Sequence, residues 1–112
     1  MSATSSMSQP PIACSLTAPG LRARRHEVLE LLRRHGREQR PLPNGYRLGF
    51  EPSDDVMASL AALIETERAC CPFLTFQLIV EPNHGPVSLE LTGPAGTREF
   101  LEAELGLGPR DT

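Results

Sequence analysis

The chain has 112 residues, of which 39% are hydrophobic and 22% charged, and a formal net charge of −3. That composition fits one soluble globular domain with a modest core, and the longest apolar run falls far short of the ~20 residues a bilayer-spanning helix needs. An aromatic content of 4% leaves few stacking platforms for single-stranded nucleic acid, and three cysteines argue against a disulfide framework. The charge is unevenly spread. There is no lysine; the first fifty residues hold eight arginines against three acids, and the remainder three arginines against eleven acids. Such asymmetry marks either a charged partner surface or two solvated faces of one domain.

In chain order, residues 1–11 are polar and Ser-rich, with neither a basic nor an apolar signal region, and read as a disordered tail of a cytoplasmic protein. In that compartment thiols stay reduced. The body of the protein is expected over 12–107, with a short C-terminal tail at 108–112. Ile12 to Leu16, with Cys14 at its centre, is a short apolar piece that reads as an edge strand. Thr17 then caps a helix with Pro19 in its first turn, running to about His35 and stopped by Gly36. Leu21, Arg25, Val28 and Leu32 share its inner stripe. Residues 37–45 are polar, contain Pro and Gly, and read as a connection.

Tyr46, Leu48 and Phe50 alternate with polar or small residues, the pattern of a half-buried strand. Ser53 caps a second helix with Asp54 and Asp55 at its positive dipole end. Pro72 ends that helix at Cys71. Phe73 to Val80 and Val87 to Leu91 are two further strands, joined as a hairpin across Pro82-Asn83-His84-Gly85-Pro86. A last helix spans Thr97 to about Leu105. The order β-α-β-α-β-β-α predicts an α+β fold, a small antiparallel sheet with helices on one face, ferredoxin-like or related.

The chemically pointed segment is Glu67-Arg68-Ala69-Cys70-Cys71-Pro72-Phe73-Leu74. At about 100° per residue, Val56, Leu60, Leu63 and Ile64 define the inner stripe of the second helix, and Glu67 falls near its centre. Cys70 and Cys71 flank that centre, three and four residues on. A carboxylate is thus expected on an apolar face, where an isolated charge costs several kcal/mol unless paired or protonated. Two soft sulfur donors sit beside it. The helix C-terminus disfavours thiolates, so metal-free thiols here are poor nucleophiles. A bound soft cation reverses that balance by displacing the thiol proton.

Three readings compete. The cysteines are buried small hydrophobes, with Glu67 paired to Arg25 or a loop amide. Alternatively Cys70, Cys71, Glu67 and a more distant Cys14 hold a thiophilic metal or metalloid ion. Or one thiol does redox or transfer chemistry with Glu67 moving protons; no histidine stands at helical spacing from the pair to help it. His84 reads as a turn residue and His35 as a cation complementing the first helix's dipole. Thr92-Gly93-Pro94-Ala95-Gly96-Thr97 lacks the lysine and spacing of a phosphate loop.

The Glu-Arg-x-Cys-Cys-Pro-Phe-Leu segment, with the following hairpin, Gly93-Pro94 and the opening Ala13-Cys14-Ser15-Leu16-Thr17, resembles a group of small, largely uncharacterised bacterial proteins. It is similar also to an extension carried by regulators of the mercury-resistance (MerR) type. The likeness covers about Ile12 to Leu105. It implies a cytosolic ligand- or metal-sensing domain without a DNA-binding part, and carries no catalytic residue with it. The sequence therefore reads as a small cytosolic thiol-based binder of a soft metal or metalloid ion, more a binding protein than an enzyme. Its alternative is a non-catalytic interaction module, docking a protein partner or a second copy; neither nucleic acid nor membrane is an expected partner.

Overall fold

A computed structural model of the chain describes residues 18–108. The tail expected over 1–11, the strand expected over Ile12 to Leu16 and the Thr17 cap lie outside the described residues. So do the side chains of Leu21 and Arg25. Seven elements follow: α1 (Ala18–His35), β1 (Gly36–Leu42), β2 (Gly45–Phe50), α2 (Asp54–Cys70), β3 (Thr75–Val80), β4 (Val87–Thr92) and α3 (Thr97–Leu105). The sheet runs β1-β2-β4-β3, and every pairing is antiparallel. The fold class is α+β, as the sequence predicts.

Two features depart from the sequence reading. Residues 37–45 are not a plain connection: Gly36–Leu42 forms β1, paired with β2 across a tight turn at Pro43-Asn44. β1 escapes the hydrophobic pattern because nearly all of it is exposed, so ladder hydrogen bonds, not burial, hold it in place. Pro41 is tolerated because the strand lies at an edge. The described order is consequently α-β-β-α-β-β-α, two hairpins laid side by side through β2 and β4. That differs from a ferredoxin-like split β-α-β unit, whose strands need a crossover to run parallel.

Period-2 alternation builds the core face. Tyr46, Leu48 and Phe50 of β2 stand opposite Leu91, Leu89 and Val87 of β4, and all six are buried. Phe76, Leu78 and Val80 of β3 continue the same three rows. Val28 and Leu31 of α1, Val56 and Leu60 of α2, and Leu101 and Leu105 of α3 cover that face. The other face carries a polar row, Arg40, Arg47, Glu90 and Gln77, one residue from each strand. Arg40 and Arg47 oppose each other, an unfavourable pairing that two acids relieve. Arg47 Nη1 donates to Glu90 Oε2 at 2.9 Å, and Arg40 Nη2 to Glu38 Oε2 at 3.4 Å.

Glycine is needed where backbones nearly touch. A Cβ on Gly45 would collide with the Leu91 carbonyl oxygen, and one on Gly93 would sit 3.0 Å from the Phe73 carbonyl oxygen. No helix among the described residues is long and apolar enough to cross a membrane.

Candidate functional site at the end of the second helix

α2 starts where the sequence places it. Ser53 is the N-cap, its Oγ accepting the Val56 N–H at 3.1 Å. Buried positions Val56, Leu60, Glu67, Cys70 and Cys71 trace one stripe toward the sheet, while Glu65 and Arg68 are exposed. Glu67 is only 2% exposed. The helical stripe thus carries a carboxylate into the core, as its spacing requires.

The helix gives out at the thiols. Cys71 N–H donates to the Glu67 carbonyl at 2.7 Å, closing the last turn, and Cys71 itself has φ −123° and ψ 76°. This is the non-helical conformation that a following proline imposes. Its carbonyl then accepts the Leu74 N–H at 3.1 Å, turning the chain into β3. Two adjacent residues inside a helix point about 100° apart. At a helix end, with Cys71 already outside helical geometry, that spacing no longer constrains the pair. Cys70 and Cys71 are both buried thiols.

Phe73 meets Phe100 of α3 edge to face, with ring centroids 5.1 Å apart. This packing anchors the segment just past the thiols. Of the residues singled out in the sequence, Glu67, Cys70 and Cys71 thus share one buried helix end, whereas Cys14 and the side chain of Arg25 lie outside the described residues. Among the described residues no group of three His, Cys, Asp or Glu side chains is placed to hold a metal ion. Glu67, Cys70 and Cys71 therefore do not make a three-ligand group by themselves.

Glu67 also lines a hollow of about 400 Å³ between α1 and α2, along with Glu27, Arg34 and His35. Neither cysteine lines it. This groove is not evident in the sequence, where His35 reads as a complement to the helix dipole and nothing singles out Glu27 or Arg34. The signal available was their i, i+7, i+8 spacing on one flank of α1. His84, by contrast, is an exposed turn residue with φ 56°, following Asn83 at φ 58°. The Gly93–Thr97 stretch is an ordinary connection: Gly93 N–H donates to the Asn44 carbonyl and Thr97 N–H to that of Pro94.

No protein-family model, curated protein or solved structure matches this chain.

Proposed function

We propose that the protein binds a soft metal or metalloid ion in the cytoplasm through Cys70 and Cys71, with Cys14 as a third sulfur and Glu67 as a carboxylate ligand or proton acceptor. Support comes from one observation: Glu67, Cys70 and Cys71 are each buried along the last turn of α2, with Cys71 already out of the helical conformation. The donor chemistry fits a thiophilic ion, which thiolates select over hard cations. Binding strips the thiol protons, so it offsets the unfavourable field of the helix C-terminus. The resemblance read in the Glu-Arg-x-Cys-Cys-Pro-Phe-Leu segment implies the same class of ligand.

Elemental analysis of protein purified without chelator, with a count of reactive thiols, tests the proposal. Stoichiometric metal with protected cysteines is the expected result, and Cys70→Ser or Cys71→Ser removes both signals. Three inaccessible thiols and no metal would overturn it. A second reading, an interaction module whose cysteines only fill the core, is favoured by a separate observation, the uncharged and partly exposed edge of β3.

A further inference from the structure

The two edges of the sheet are treated differently. β1 carries Arg37, Glu38, Arg40 and Pro41, and its register shifts between Gly36 and Glu38. Charge, proline and irregular register are the devices that stop an edge from recruiting another strand. β3, the opposite edge, has none of them. Its sequence Thr-Phe-Gln-Leu-Ile-Val contains no charge and no proline, and it pairs with β4 without a shift. Among the described residues no strand lies on its outer side.

The core face of β3 is also incompletely covered. Leu78 is 37% exposed and Val80 56%, although both continue buried rows of the sheet. The nearby flank of α2 extends this apolar strip. Met57 lines the same hollow as Val80. Helical spacing puts Ala61, Ile64 and Arg68 on Met57's flank, opposite the flank that Ser59, Ala62 and Thr66 turn toward α1.

We propose that β3 is a homodimer interface, pairing antiparallel with β3 of a second copy about a twofold axis through Leu78. Three features select a second copy over an unrelated strand. Leu78 then faces Leu78, and Phe76 faces Val80 of the other copy, so the exposed side chains cover one another. An uncharged strand brings no like charges together on self-pairing. The ends are complementary as well. Arg68, on the last turn of α2, is exposed at the Thr75 end of β3, and exposed Glu81 follows Val80 at the other end. Antiparallel pairing brings Arg68 of each copy to Glu81 of its mate. The contact is isologous, as a closed dimer requires, and it gives the interaction-module reading a surface without involving the thiols.

Sedimentation equilibrium of the full chain under reductant tests this. The expected mass is twice the 12.2 kDa of one chain. Leu78→Lys, which sets two ammonium groups face to face at the axis, yields a monomer with an unchanged circular dichroism spectrum. Arg68→Glu weakens the dimer, and adding Glu81→Arg restores it. A wild-type monomer would overturn the proposal, and slow amide exchange along β3 in that monomer would assign the edge to another segment of the same chain. A dimer indifferent to Leu78→Lys would overturn it too. None of these outcomes bears on metal binding, which is read separately.

Discussion

Two residues outside the thiol site show how burial sets the chemistry of single groups. Tyr46 is the chain's one tyrosine, and its hydroxyl donates to Glu102 Oε2 at 2.7 Å. Burial, then the hydrogen bond and the charge of Glu102, push its pKa from 10.0 up to about 12. The unfolded chain releases this proton first, so the contribution of Tyr46 to stability is whole below pH ~10 and is lost as pH rises through about 12. Phenolate absorbance, with no tryptophan to obscure it, should show one transition near that value, and Tyr46→Phe should flatten the alkaline fall in stability. Thr97 is fully buried, and its Oγ1 has no hydrogen-bond partner among the described residues. Thr97→Val keeps the shape and removes a hydroxyl whose desolvation costs about 1–3 kcal/mol, so the denaturation midpoint should rise.

At the scale of elements, local chemistry and burial pattern each explain part of the fold. α2 is over-determined: Ser53 caps it, its apolar stripe faces the sheet and Pro72 ends it. Ser53→Ala should cost about 1 kcal/mol in urea denaturation; no change would mean that the first turn is held by packing alone. The same periodicity that specifies α2 buries Glu67, Cys70 and Cys71 near its end, so their burial could be read from spacing. β2, β3 and β4 were equally plain, because each alternates apolar with polar or small residues. β1 was not, since a solvent-exposed strand such as Arg37-Glu38-Gln39-Arg40 leaves no hydrophobic signature and depends on its partner for definition. Nor could the sequence show that Leu78 and Val80 stay partly exposed, because alternation reports which face a residue takes and not how far that face is covered.

Across the whole molecule, one antiparallel sheet supports two separate surfaces. At the end of α2, Glu67, Cys70 and Cys71 are each buried; along β3, an uncharged edge faces outward. Titration of the fully reduced chain with cadmium(II) alone probes the proposed thiol site. One equivalent should produce thiolate-to-metal charge-transfer absorbance and shield the cysteines from a thiol reagent, and Cys70→Ser or Cys71→Ser should abolish both effects. Absence of the charge-transfer band, with thiol reactivity unchanged by the metal, would contradict the claim.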